Sequence, residues 1–292
     1  MTKPRITVVG SINTDMVTET DAVPSQGETV RAKNFHTVPG GKGANQAVAA
    51  ARLGADVTMI GCVGDDPFAD SLLTNLQDEQ VSAQYVDRIQ KTPSGLANII
   101  LSEQDNRIMI VAGANQRVTP DYIKERQEAI LNSDYVLLQF EIPKETIEYC
   151  MQLCKQHSIP VIVNPAPAMA LAASAWDAAT YITPNETEWS QLFQEQNDEK
   201  LIITKGKAGV SYWEDGIERA AASHPVQVVD TTGAGDTFNG ALAVALAEKC
   251  SLTEAVTFAN AAAAISVGKI GAQAGIPTKQ EVEAFLTQSR GR

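Results

Sequence analysis

The sequence predicts an α/β fold: a doubly wound, mostly parallel sheet flanked by helices, with a small antiparallel β sheet attached as a lid. Three observations point there. The run Arg5-Ile-Thr-Val-Val-Gly10 reads as a strand buried on both faces and closed by glycine. Short β-type runs then alternate with helical segments along most of the chain. Two segments, at about 14–38 and 94–112, break that alternation with hairpin-like pairs.

In chain order, Ser11-Ile-Asn13-Thr-Asp15 falls at the carboxyl end of the first strand, where open α/β sheets bind ligands. Asn13 and Asp15 are candidate contacts there, with an Asx turn as the alternative. The second hairpin is made of Leu96-Ala-Asn-Ile-Ile-Leu101 and Arg107-Ile-Met-Ile-Val111, split by a polar turn at 103–106. Between the hairpins, Pro39-Gly40-Gly41-Lys42-Gly43-Ala44-Asn45-Gln46 leads into a helical run at 47–53. Its glycines let the backbone approach a ligand, and Asn45 can both donate to and accept from sugar hydroxyls. Lys42 lacks phosphate-loop spacing and reads as a supporting charge.

Strands at 56–60, 134–138, 160–163, 181–183 and 201–204, with helices at 67–78 and 144–157, continue the winding. Polar groups recur just past strand ends: Glu141, Asn164, Asn185 with Glu188, and Thr204-Lys205-Gly206. Any one could cap a helix, but their recurrence at one sheet edge marks a site. The last third is alanine-rich, with helices at 241–249, 253–267 and 279–288, and Asn260 is the polar exception in an alanine run.

A strand-like segment at 225–229 leads into Asp230-Thr-Thr-Gly-Ala-Gly-Asp236-Thr-Phe-Asn-Gly240. Gly233 and Gly235 would then form a strand-to-helix turn whose N–H groups, helped by the helix dipole, suit an anion. Asp236 enters the first helical turn, either as a cap or as a general base. Neither G-x-G-x-x-G nor G-x-x-x-x-G-K-[ST] occurs, so a nucleotide would bind by another design.

Over 292 residues the net charge is −12, without a Lys/Arg cluster, which argues against nucleic-acid and anionic-membrane partners and for a small ligand. No apolar run reaches about 18 residues, and the first residues lead into a strand, so a cytoplasmic location is expected. The four cysteines, Cys62, Cys150, Cys154 and Cys250, read as buried free thiols. His36, His157 and His224 match no zinc spacing and read as structural or surface residues, so no transition-metal site is expected.

Together, Gly40-Gly-Lys-Gly-Ala-Asn45 and Asp230-Thr-Thr-Gly-Ala-Gly-Asp236 closely resemble the paired signatures of the ribokinase-like sugar kinases, and the match runs essentially the full length. The resemblance implies one ribokinase-like domain over 1–292, ATP-dependent phosphorylation of ribose at its 5-hydroxyl, Mg²⁺ on the nucleotide and activation by K⁺. It places Asn13, Asp15, Gly41, Lys42, Gly43, Ala44, Asn45 and Glu141 at the sugar. Asn185, Thr204, Lys205, Gly206, Ala208, Gly209, Gly235 and Asn260 fall along the nucleotide. Gly233, Ala234 and Gly235 become the anion hole, Asp236 the base, and Glu188 of an N-x-x-E motif a magnesium contact through water. Asp230 with carbonyls of Thr232, Ser266, Lys269, Gly271 and Gly275 would hold the monovalent ion. The connection at 191–200 is short for the family. The lid faces are too small for a core of their own, so pairing with the lid of a second copy, a homodimer, is expected. Rival readings are a kinase of deoxyribose, fructose or a nucleoside, and a non-catalytic sugar sensor, which would not need Asp236.

Overall fold

The computed structural model describes residues 2–102, 105–194 and 196–290. β1 (Arg5–Val9) is followed by the antiparallel pair β2 (Asn13–Glu19) and β3 (Asn34–Gly40). α1 (Lys42–Arg52) begins earlier than the expected 47, because the end of β1 anchors its first turn: Ser11 O accepts from Ala44 N at 2.9 Å. β4 (Asp56–Val63), α2 (Ala69–Asp78) and β5 (Val81–Arg88) follow. β5 is absent from the sequence reading because it is a half-buried edge strand whose polar and apolar residues give no clear period. β6 (Gly95–Ser102) and β7 (Asp105–Val111) form the second hairpin, and positions 103 and 104 of its turn lie outside the described residues.

The second half runs through α3 (Pro120–Lys124), α4 (Gln127–Leu131), β8 (Tyr135–Gln139), α5 (Lys144–Gln156), β9 (Val161–Asn164) and α6 (Ala173–Trp176). Then come β10 (Tyr181–Ile182), α7 (Glu186–Phe193), β11 (Ile202–Thr204), β12 (Val210–Glu214) and β13 (Ile217–Ala221). Three helices finish the chain: α8 (Ala234–Ala247), α9 (Leu252–Ser266) and α10 (Lys279–Arg290).

The main sheet has strand order β10-β9-β8-β1-β4-β5, and every neighbour pair is parallel. From β1 the chain winds outward through β4 and β5, then returns to β8 on the other side and winds outward again. The order therefore reverses between β1 and β8, and a crevice opens there beyond their carboxyl ends. A second sheet, β3-β2-β6-β7, carries the two hairpins, joined by parallel pairing of β2 with β6. β11, β12 and β13 form a third sheet that extends the first through single bridges, Ile182 to Leu201 and Asn185 to Thr204. The short 191–200 connection thus still delivers β11 to the edge of the main sheet.

Alternate residues of β1 serve opposite faces. Ile6 and Val8 join a core with α1, α8 and α9, whereas Val9 joins one with α3 and α5. α1 and α8 pack closely because small residues meet: a Cβ on Gly240 would lie 2.6 Å from that of Ala49. This contact brings the two glycine-rich signatures together.

Three expectations need correction. The segment 225–229 is irregular rather than a strand: Pro225 has no N–H to give to a ladder, and Val228 and Val229 stay exposed, Val228 lining a cavity. α8 starts at Ala234, not 241, so the second signature is a loop-to-helix turn. Cys250 is only partly buried, while Cys62, Cys150 and Cys154 are buried as expected. Among the described residues no helix is long and apolar enough to cross a membrane.

Candidate active site

In the crevice between β1 and β8, Glu141 gathers three donors from two segments, the stretch after β1 and the start of α1. Its Oε2 accepts from Ser11 Oγ at 2.6 Å, Lys42 N at 3.2 Å and Asn13 Nδ2 at 3.4 Å. Asn13 is held in turn by Asn115, whose Nδ2 donates to Asn13 Oδ1 at 2.7 Å while its Oδ1 accepts from Ile12 N at 3.0 Å. Gly43 N donates to Ser11 Oγ at 3.3 Å. With Ala44 N also on Ser11, the N–H groups of Lys42, Gly43 and Ala44 are engaged by the protein itself, so Gly41 to Ala44 shape the wall of the crevice.

Asp15 lies in β2 with its carboxylate packed on Gly40. Burial, then the nearby charges of Glu141 and Asp236, push its pKa up from 3.8 to about 7, and Lys42 limits the rise. Burial works on Lys42 in the opposite sense, but Asp236, Glu141, Glu188 and Asp15 together hold its ammonium above the usual lysine range. Lys42 is thus the positive centre of a buried acidic cluster, a larger role than its spacing suggests.

Asp236 sits in the first turn of α8, 5% exposed. Asn45 Nδ2 donates to its Oδ2 at 2.9 Å and Gln46 Nε2 to its Oδ1 at 3.1 Å. Gly233 precedes the helix at φ 78°, a left-handed conformation, and a Cβ there would lie 2.5 Å from Ala272 O. Gly235 differs: a Cβ there would meet nothing within 4 Å, and the residue lines both adjoining cavities. Ala234 N donates to Thr231 O at 3.2 Å.

Two cavities that share Asn185, Thr204, Thr231 and Gly235 in their linings lie at Asp236's end of α8. The smaller, about 210 Å³, is lined by Lys42, Asn185, Glu188, Thr204, Gly233 and Asp236 among others. Asn185 and Glu188 cap α7 reciprocally, each side chain accepting from the other's backbone N–H at 2.8 Å. Burial raises the Glu188 pKa, partly offset by that backbone N–H. The larger cavity, about 660 Å³, is lined by Asn185, Thr204, Gly206, Gly209, Gly235 and Asn260, among others. Lys205 and Ala208 fall outside that lining, because the short turn after β11 points Lys205 over the Trp189 ring and places Lys207 at the cavity instead. His224, expected to be structural or superficial, lines the cavity edge-on to Phe285, and burial lowers its pKa. Asn260 Nδ2 ties α9 to Ala222 O at 2.7 Å.

Asp230 accepts from Gly271 N at 2.8 Å and from Thr232 N and Oγ1 at 2.9 and 2.7 Å. Burial opposes the charge, but these donors outweigh it and hold the carboxyl below its usual pKa. The facing loop is tight: a Cβ on Gly275 would lie 1.9 Å from Ser266 O, so this position can offer only its carbonyl. Glu281 is held below the usual carboxylate range by the N–H and hydroxyl of Thr278, with the Lys269 ammonium adding to this.

Sequence reasoning missed Gln46, Asn115, Thr231 and Gln273. Gln46 adjoins the first signature, and Thr231 lies within the second and lines both cavities. Asn115 closes Val111-Ala-Gly-Ala-Asn115, a run that also resembles the family's pattern, whereas for Gln273 the chain carries no local signal, since its partner is 228 positions away.

The profile of the pfkB family carbohydrate kinases matches residues 3–279, and the chain belongs to this family. It is 50% identical over 290 residues to a ribokinase of Bacillus subtilis, covering 97% of this chain and 99% of that protein. A ribokinase of Lactococcus lactis is 43% identical over 293 residues, covering 97% of each. Among solved structures, a ribokinase of Arabidopsis thaliana complexed with ribose and ATP superposes with TM-score 0.89 at 32% identity, covering 98% of this chain and 99% of the other.

Proposed function

We propose that the protein transfers the γ-phosphoryl group of ATP to the 5-hydroxyl of D-ribose, giving ribose 5-phosphate. The observation that carries this reading is the buried Asp236 carboxylate, fixed by two amides at a helix N-terminus where the smaller cavity adjoins the larger. A sugar hydroxyl is almost un-ionised at neutral pH, so Asp236 accepts its proton as the oxygen bonds to phosphorus. Asn13, Asp15, Asn45 and Glu141 orient the sugar, with Gly41 to Ala44 shaping the wall. The nucleotide takes the cavity of about 660 Å³, a size that suits it. The turn from Gly233 to Gly235, at the positive end of α8, faces the charge that develops on the transferring group.

Mg²⁺ bound with ATP supplies charge neutralisation on the phosphates. Glu188, with Asn185, is fitted to that ion through water, since burial already raises its pKa and a cation would relieve the cost. For K⁺, Asp230 and the carbonyls of Thr232, Ser266, Lys269, Gly271 and Gly275 supply oxygen donors of the right chemistry, on a loop that Gly271 N and Val267 O tie to Asp230. The β3-β2-β6-β7 sheet acts as a lid, and its exposed Phe35, Ile108, Met109, Ile110 and Val111 suit pairing with a second copy. The reaction belongs in the cytoplasm, where ATP is supplied and free thiols such as these stay reduced.

The test is ADP release measured with ribose, 2-deoxyribose, fructose and nucleosides. Ribose should show the highest kcat/KM. Preference for another acceptor would overturn the ribose assignment, and no ADP release with any of them would leave a sugar sensor.

A further inference from the structure

We propose that Gln273 is a positioning residue for this reaction: through a one-way chain of side-chain amides it turns the Asn45 amide so that its N–H is presented to Asp236. The inference rests on the kinase reading and on Asp236 as base.

Three links through four residues make the chain. Asn75 Nδ2, on α2, donates to Gln273 Oε1 at 2.9 Å. Gln273 Nε2 donates to Asn45 Oδ1 at 3.0 Å, and Asn45 Nδ2 donates to Asp236 Oδ2 at 2.9 Å. Arg52 fixes the backbone of Gln273, its Nη1 donating to Gln273 O at 2.8 Å and Ile276 O at 3.0 Å. Arg52 is itself clamped by Glu79 at 2.7 and 2.6 Å.

The direction is dictated from the acidic end. An ionised carboxylate only accepts, so Asn45 must offer it N–H and keep its oxygen turned away. That oxygen then needs a donor, and Gln273, 7% exposed, is placed to be that donor. Rotating any one amide by half a turn would set oxygen against oxygen, at the cost of a buried unmade hydrogen bond.

A second chain obeys the same rule. Gln139 Nε2 donates to Gln46 Oε1 at 2.7 Å, and Gln46 Nε2 donates to Asp236 Oδ1 at 3.1 Å. Gln139 Oε1 has no hydrogen-bond partner among the described residues, so nothing on its far side sets that amide's orientation; the direction comes from Asp236. Of the two, only the Gln273 chain passes through a residue placed at the sugar. Losing it should disturb acceptor and base together and leave the nucleotide cavity alone.

The experiment is steady-state kinetics on Gln273→Met, which keeps length and removes the amide, in the parent and in an Asn45→Ala background. In the parent, kcat should fall about 10- to 100-fold, the cost of a misplaced group, with a higher sugar KM and an unchanged ATP KM. In the Asn45→Ala background the same substitution should cause no further fall, because its route to Asp236 is already gone. Unchanged kcat in the parent would overturn the proposal. Equal losses in both backgrounds, or a matching rise in ATP KM, would mark a merely structural residue and overturn it too. If Gln273→Met does not give a cooperative thermal melt, Asn75→Leu takes its place, with a smaller fall of the same pattern; wild-type values there would overturn the relay. Asp236→Asn separates the two levels, since wild-type turnover in that variant removes the base itself whatever the Gln273 variants do.

Discussion

Sugar binding should tighten as pH rises through neutrality, because Asp15 must lose a proton before it can accept from two hydroxyls. Burial, reinforced by Glu141 and Asp236, places that ionisation at about 7 in the free protein. At pH 6 about a tenth of the molecules carry the ionised carboxylate and at pH 8 about nine tenths, so the apparent Kd should fall about tenfold, or about 1.4 kcal/mol. Isothermal titration of ribose without nucleotide measures this directly. Run in two buffers of different ionisation enthalpy, it should show release of nearly one proton per sugar at pH 6 and almost none at pH 8. Asp15→Asn should flatten the dependence, and Lys42→Met should move it to higher pH by removing the charge that now limits the rise. The same carboxyl works against folding: the native protein keeps its proton up to about pH 7, whereas an unfolded chain releases it near 3.8, so stability declines as pH rises between these values. Ribose affinity that is equal at pH 6 and 8, or a pH dependence that survives in Asp15→Asn, would refute the reasoning.

Asp236→Asn keeps shape and removes the proton acceptor, so kcat should fall about 10²–10⁴-fold with little change in ATP affinity, measured by ADP release and nucleotide titration. Activity in Tris buffer free of alkali cations should rise several-fold on adding K⁺, and Asp230→Ala should abolish the rise; equal parent rates with and without K⁺ would remove the ion from the account. Light scattering at micromolar concentration should give the mass of a dimer, and Ile108→Lys with Ile110→Lys on the exposed strand should give a monomer.

The parallel core was legible because its signals are local. The apolar stretch of β1, the glycines before α1 and α8, and the polar residues past the strand ends each declare themselves within a few positions. So did Asp236, whose place in a first helical turn follows from the glycines before it. Signals failed where pairing or packing decides the outcome. Residues 225–229 look like a strand but find no ladder, and β5 looks like nothing but finds one beside β4. Lys205 matches a motif position, yet a three-residue turn sends it over Trp189 and gives the cavity to Lys207.

The sequence by itself determined the fold class, the two signatures and the carboxylate at their centre, since chain geometry and residue chemistry suffice for these. Only the tertiary structure decided which groups hold that carboxylate. Asn45 and Gln46 reach Asp236 across 191 and 190 positions, and Gln273 reaches Asn45 across 228. The physical reason is that a hydrogen bond spans about 3 Å and must be nearly straight, so its partners are chosen by how helices pack. Here the choice depends on small residues: Gly240 against Ala49 lets α1 and α8 come close enough for two side-chain amides to meet one carboxylate.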